Sequence, residues 1–200
     1  MQIIENSPLH DLLKKEKISV NSYHHQGVRE LSPQLKAMAT ASDGLTEAVY
    51  APGNSFLWAV QWHPEFSFHK DENSRLIFKA FIDECHKRGM ELHAWVVTIP
   101  AYKIAQTKQM GASGIHAKRA DLIKKHNEQY YLDPGNPGTA DYLVSVCDEI
   151  VRNYDVDGIH FDYIRYPENA STFPDADTYK KYGNGRNKAQ WRRDNITRIV

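Results

Sequence analysis

Two cysteines in 200 residues leave little room for covalent or metal scaffolding. Cys85 and Cys147 fall on separate predicted helices and read as buried free thiols, not as a disulfide. No His-x-x-x-His or Cys-x-x-Cys stands beside a third ligand, so the ten histidines point to no metal site, and no cofactor motif is present. Neither charge is in surplus, with 25 Lys and Arg against 25 Asp and Glu. That balance argues against nucleic acid, whose phosphates select a clustered positive excess. The short basic pairs Lys14-Lys15 and Arg192-Arg193 read as solvated helix faces. No apolar run approaches the ~20 residues of a membrane span. No basic segment followed by an apolar one opens the chain, so a cytoplasmic location is expected; a truncated start would leave the periplasm or export open.

What is present is an ordinary globular composition, 41% hydrophobic and 25% charged, with two different rhythms. Residues 1 to about 70 read as short strands and turns. Ile18–Asn21 is one strand; Met38–Ala41 and Glu47–Tyr50 flank the hairpin turn Ser42-Asp43-Gly44. Phe56–Gln61 is an apolar strand ending at His63-Pro64. Residues 71–88 have helical spacing through Ile77, Ala80, Phe81 and Cys85, closed by Lys87-Arg88-Gly89. From there strands and helices alternate. Strands are expected at Glu91–Val97, Gln129–Leu132 and Gly158–Tyr163. Helices are expected at 118–126, 138–154 and 188–200, the second with Leu143, Val146, Cys147, Ile150, Val151 and Tyr154 on one side. The pattern predicts an α/β fold with parallel strands.

Two groups of residues carry chemistry. The first is Asn21-Ser22-Tyr23-His24-His25-Gln26 with Val60-Gln61-Trp62-His63-Pro64-Glu65. His63 two residues before Glu65, on the loop after a strand, suits the base and orienter of a nucleophile–His–acid triad. This stretch, about residues 8–84, resembles the C-terminal part of class I glutamine amidotransferase-like hydrolases, most closely the gamma-glutamyl-gamma-aminobutyrate hydrolase (peptidase C26) family. The resemblance implies that His63 and Glu65 match the family's catalytic His and Glu. The family's nucleophilic Cys lies on a Gly-rich elbow upstream of these motifs, and no such elbow occurs here. Cys85 comes after His63, on a helix. His24 and His25 read as loop or wall residues near the site.

The second group is Tyr131-Leu132-Asp133-Pro134-Gly135-Asn136-Pro137 with Tyr154-Asp155-Val156-Asp157-Gly158-Ile159-His160-Phe161-Asp162-Tyr163. In a parallel barrel, residues at the C-terminal ends of strands face the catalytic mouth. Asp162, followed by Tyr163 and Arg165, takes that position, and an Arg and a His beside a carboxylate favour its charged form. Asp133 ends the preceding strand, and His93 and Trp95 share one face of the strand before it; an aromatic beside carboxylates suits sugar stacking. Together with Glu84-Cys85-His86-Lys87-Arg88-Gly89-Met90-Glu91-Leu92-His93-Ala94-Trp95 and Trp191-Arg192-Arg193-Asp194-Asn195-Ile196, these phrases resemble the glycosyl hydrolase-like family 10 proteins over about residues 82–200. The resemblance implies a (β/α)₈ barrel, hydrolysis of a carbohydrate or cell-wall glycan, and Asp162 in the nucleophile-like position. Tyr163, Arg165, His160, Asp133, His93 and Trp95 are the candidate substrate-binding residues. The second carboxylate that glycoside chemistry needs is expected on a barrel strand outside these residues, with Asp133, Asp157 and Glu168 as the candidates within them.

The expected architecture is therefore α/β: a C-terminal piece of a class I amidotransferase-like domain over 1–84, then a partial (β/α)₈ barrel over 85–200. Such a barrel takes ~250 residues. Three functions are in competition: a glycoside hydrolase-like chain, a gamma-glutamyl amide hydrolase fragment lacking its nucleophile, and a non-catalytic fusion or fragment. The partner is a carbohydrate or a gamma-glutamyl small molecule. The strands of the two halves either merge into one arrangement or stay apart.

Overall fold

Ser7 precedes Pro8, a capping residue followed by one preset for the first helical turn. In the computed structural model, which describes residues 1–53, 56–68 and 70–200, that start yields helix α1, Pro8–Leu13, with the Ser7 side chain accepting from the His10 amide. The chain divides into two compact units, Met1–Met90 and Glu91–Val200.

In the first unit, strands β1 (Gln2–Ile3), β2 (Lys36–Thr40), β3 (Thr46–Tyr50) and β4 (Trp58–Val60) form one sheet in the order β1-β2-β3-β4. All its pairings are antiparallel. The predicted Asp-Gly turn joins β2 to β3: Gly44 sits at φ 88°, open only cheaply to glycine, and Asp43 Oδ1 accepts from the Leu45 amide at 3.1 Å. Ile3, Leu9, Leu13, Met38, Ala48 and Trp62 form the core, with Leu76 and Ile77 of helix α2 (Glu72–Lys87) packed against it. Asp71 caps α2 through the amides of Asn73 and Ser74. Ile18–Asn21 is not a strand. Lys17 makes only an isolated bridge to Gln2, Ile18 enters the core, and the Asn21 side chain is used by the His63 backbone instead of a ladder.

In the second unit, β5 (His93–Val97) pairs in parallel with β9 (Gly158–Asp162). Between them in sequence come β6 (Pro100–Lys103), the short helices α3 (Thr107–Met110) and α4 (Ile115–Lys118), then β7 (Ile123–His126), β8 (Gln129–Leu132) and α5 (Gly138–Asn153). Strands β6, β8 and β7 form a separate antiparallel sheet in that order. Among the described residues the expectation of parallel strands is thus met only by β5 and β9, and the remaining pairings in both units are antiparallel. The expected helix at 118–126 is also corrected: α4 ends at Lys118, and Ile123–His126 pairs residue for residue with β8. Pro100 hid β6, yet as the first residue of an edge strand its missing amide costs no ladder bond. Ile99, Leu122, Leu132 and Leu143 are the buried core, and helices α6 (Ala176–Tyr182) and α7 (Lys188–Ile199) complete the unit. On α5, Leu143 is buried while Val151, expected on the same side, is exposed. Every sheet draws its strands from one unit alone. Both units are mixed α and β.

Candidate functional site

Period-two alternation decides what the end of β9 presents. Trp95 pairs with His160 and Val97 with Asp162, so these four residues share one face of the parallel pair. That face is open: Trp95 is 69% exposed and Val97 47%. Asp162 is fixed there by donors on both oxygens. The Trp95 indole donates to Oδ2 at 3.1 Å, and the Tyr163 amide donates to Oδ1 at 2.6 Å. Thr98 anchors the strand end from the other side, its hydroxyl and amide both donating to the Asp162 carbonyl. Tyr163 then turns the chain at φ 54°, a left-handed conformation that a bulky side chain adopts at a cost of order 1–3 kcal/mol. The turn leaves its ring half exposed, with the Arg165 guanidinium 5.5 Å from the ring centre.

Val97 and Tyr163 open onto a cleft of about 510 Å³. Asn127, Gln129 and Tyr131 of the β7–β8 hairpin form one wall, and Arg165, Tyr166 and Glu168 another. The structure thus brings Tyr163 and Arg165 into the cleft; Asp162 and Trp95 do not line it, although Asp162 precedes Tyr163 and pairs with the lining residue Val97. His160 is exposed on the same sheet face. His93 sits at the other end of β5, about 13 Å from Val97 by strand rise, beside Glu91. Asp157 is at that end too, its Oδ2 accepting from the Leu92 amide at 2.7 Å.

Asp133 lies below the surface at 1% exposure. It accepts from the Gly135 amide and the Thr178 hydroxyl, with Lys124 Nζ 3.6 Å away. Burial pushes its carboxyl up against those hydrogen bonds and the Lys124 charge. Beside it in sequence, Gly135 faces the ring of Trp191, wholly buried; a Cβ there would sit 2.4 Å from the ring. Asp175, also wholly buried, accepts from Arg192 through both oxygens at 2.7 and 2.8 Å and from Lys188 at 2.8 Å. Arg192 is therefore not a solvated residue as its doublet with Arg193 suggested; its guanidinium also reaches the Ala170 carbonyl and lies 5.1 Å from the Tyr166 ring centre. Burial pushes the Tyr166 phenol up.

In the first unit the separated phrases meet. Asn21 brackets the His63 backbone, Nδ2 donating to its carbonyl at 2.7 Å and Oδ1 accepting from its amide at 2.9 Å. His63 Nδ1 and Glu65 Oε1 are 2.6 Å apart, with the imidazole stacked on Phe66. Tyr23 to Val28 and Gln61 line a shallow cleft of about 380 Å³, which holds His24 and His25. Cys85 is a buried thiol on α2.

The glycosyl hydrolase-like 10 family profile matches residues 46–200. The chain belongs to the glycosyl hydrolase-like 10 family. The peptidase C26 profile matches residues 1–65, so the two overlap across β3 and β4. Glycosyl hydrolase YngK of Bacillus subtilis strain 168 is 30% identical over 197 residues, covering 94% of this chain and 36% of that protein. Glycosyl hydrolase DigH of Escherichia coli K12 is 35% identical over 130 residues, 60% of this chain and 30% of DigH. Gamma-glutamyl-gamma-aminobutyrate hydrolase PuuD of Escherichia coli K12 is 40% identical over 86 residues, 42% of this chain and 34% of PuuD. The chain thus spans about a third of the length of each of these relatives. Among the described residues no helix is long and apolar enough to cross a membrane.

The sequence reading did not single out Asn127, Gln129 or Tyr166 as cleft residues, and it gave Tyr131 only as the start of a motif. For two of them a signal was available. In β8, Tyr130 and Leu132 are buried, so alternation leaves Gln129 and Tyr131 together on the open face.

Proposed function

We propose that the second unit is two consecutive strand–helix units of a (β/α)₈ barrel that binds a carbohydrate, and that glycoside hydrolysis is the chemistry of the site. One observation carries the reading. The cleft is lined by residues from just two places: the segment following the C-terminal end of β5 and the segment following the C-terminal end of β9. In a β/α barrel those are neighbouring loops on the catalytic face. The antiparallel β6–β8–β7 sheet is then an insertion in the first loop, and α5 is the crossover helix leading to β9. Asp162 ends β9 next to Tyr163 and paired with Val97, both of which line this cleft.

In this arrangement Asp162 faces the anomeric carbon, where positive charge develops in an oxocarbenium-like transition state. Trp95 and the Tyr163 amide hold its two oxygens and act as positioning groups. Glu168, on the cleft wall, is the second carboxylate; Asp133 is committed below the surface and Asp157 lies at the far end of the strand. Tyr131 and Tyr163 offer ring faces to a sugar, and Arg165 offers donors to its hydroxyls. The test is release of reducing ends from cell-wall glycan or oligosaccharide by this chain. Asp162→Asn and Glu168→Gln should abolish release, and His63→Ala should leave it unchanged. Loss with His63→Ala and retention with Asp162→Asn would refute the assignment.

For the first unit the 2.6 Å His63–Glu65 pair supports the amidotransferase-like reading of the resemblance. The base and orienter are assembled, but no cysteine precedes His63 within the chain. Two triad members alone give no amide hydrolysis by that route. We read residues 1–84 as the part of that fold that carries the base and its orienter.

A further inference from the structure

His63 opens a short 3₁₀ turn, Pro64–Phe66, and is fixed from several directions. Trp62 before it and Pro64 after it are buried. Asn21 bonds both its amide and its carbonyl. Residues three apart eclipse in a 3₁₀ turn, which lays the Phe66 ring over the imidazole with 4.9 Å between centres. The Tyr23 ring meets both edge-on, 6.3 Å from His63 and 5.3 Å from Phe66. Glu65 Oε1 stands 2.6 Å from Nδ1. A carboxylate only accepts, so Nδ1 carries the ring proton and the lone pair is left on Nε2. Among the described residues nothing bonds Nε2, and the imidazole is exposed to solvent.

We propose that His63 and Glu65 form a general base for water itself, and that the first unit hydrolyses small esters of phenols without a nucleophilic residue. This needs neither a cysteine nor the carbohydrate reading of the second unit. A water at Nε2 gives that nitrogen a proton as its oxygen bonds the ester carbonyl carbon. The bond from that carbon to the phenolic oxygen breaks, and the phenolate leaves with the electron pair. The phenolate takes the proton from Nε2, so the products are a carboxylic acid and a phenol and the imidazole is restored. Glu65 holds the tautomer and offsets the imidazolium formed between the two transfers.

Two observations set the substrate class. No cysteine precedes His63, so the two-step route through a thiol ester is closed and the leaving group must depart readily. A phenolate does so far more easily than an amine. Tyr23 and Phe66 are also 61% and 49% exposed, which offers aromatic surface beside the imidazole. Tyr23 further lines the cleft of about 380 Å³, within the roughly 300–1,000 Å³ of a small-molecule pocket.

The experiment is initial-rate hydrolysis of p-nitrophenyl acetate by the whole chain. The amide counterpart is p-nitroacetanilide, and free imidazole at the same concentration of rings is the reference. The chain should exceed that reference about tenfold or more and slow in D₂O, since a proton moves in the transition state. It should form no acyl adduct by intact mass and leave the anilide uncut. His63→Gln should lower the rate about tenfold or more. Glu65→Gln should lower kcat about fivefold or more at unchanged KM. Both side chains are exposed, so both variants should melt where the parent does. A parent rate equal to that of imidazole, or an unchanged rate in either variant, would overturn the dyad. An acyl adduct, or equal rates in H₂O and D₂O, would overturn water as the attacking group. Cleavage of the anilide at a comparable rate would overturn the ester class.

Discussion

Asp133 and Asp175 are both buried, yet substitution by asparagine should affect them in opposite degree. Asp175 is wholly buried and accepts three charge-assisted hydrogen bonds, two from Arg192 and one from Lys188. Burial opposes its ionisation, but the bonds from Arg192 and Lys188 outweigh it and hold the carboxyl below its usual value. Asp175→Asn leaves the partly buried Arg192 without its counter-charge, and breaking such a pair costs about 3–5 kcal/mol. Asp133 is the reverse case: burial dominates and raises its carboxyl. An asparagine there keeps an acceptor for the Gly135 amide and sheds a desolvated charge, while Lys124 keeps Asp177 at 2.6 Å. Asp133→Asn should therefore stay within about 1 kcal/mol of the parent. The pH dependence separates the two further. A depressed carboxyl stabilises the fold above its unfolded value, near 3.9, and loses that contribution as pH falls through the folded value. The gap between parent and Asp175→Asn should be constant from about pH 7 to 5 and close below about pH 4. Urea unfolding followed at the Trp191 indole resonance reads this directly, since the ring is buried in the same unit. A cost under about 1 kcal/mol for Asp175→Asn, or a gap that persists in acid, would refute the reasoning.

Gly135→Ala should cost about 3 kcal/mol, because its Cβ meets the rigid, wholly buried Trp191 ring at 2.4 Å. Gly158→Ala meets the His93 ring at 2.8 Å, but that imidazole is half exposed and can swing aside, so thermal melts should show less than about 1 kcal/mol of loss. Tyr163→Asn relieves a left-handed residue and should stabilise the chain by about 1 kcal/mol while weakening oligosaccharide binding; a destabilised variant would show that the tyrosine ring is a packing element. Asp71→Ala removes the cap of α2 and should cost about 1–2 kcal/mol at neutral pH, measured by urea titration. Burial works against the Asp71 carboxylate, but hydrogen bonds from Ser74 and Asn73 prevail and lower it, so this cost too should vanish below about pH 4.

The long elements were legible because burial and local propensity agree in them. Ile77, Ala80, Phe81 and Cys85 at helical spacing, closed by Lys87-Arg88-Gly89, gave α2 within a residue at each end, and α5 and β9 followed the same logic. The error at 118–126 came where no such agreement exists. Ile123-Lys124-Lys125-His126 has no clean alternation, and it is a strand only because β8 supplies its ladder. The parallel pairing was overextended for a related reason. A strand–helix rhythm does not distinguish a barrel strand from an inserted antiparallel sheet in the loop after one.

The candidate site shows what recurring phrases report. Tyr131-Leu132-Asp133-Pro134-Gly135-Asn136-Pro137 was read as a mark of chemistry, and Arg192, in the phrase from Trp191 to Ile196, as part of a solvated helix face. Much of both is scaffold: Asp133 accepts from Thr178, Gly135 admits the Trp191 ring, and Arg192 neutralises Asp175. These residues fix how α6 and α7 lie against the end of β8, and a change at Gly135 or Arg192 leaves a clash or a buried charge. The cleft instead draws on side chains whose identity no packing rule dictates, such as Asn127, Gln129 and Glu168. A motif strong enough to identify the family therefore says most about the support beneath the cleft. The specificity of the cleft is written in the hairpin tip and in the segment after Asp162, where the sequence spends its left-handed residues at Asn127, Glu128 and Tyr163.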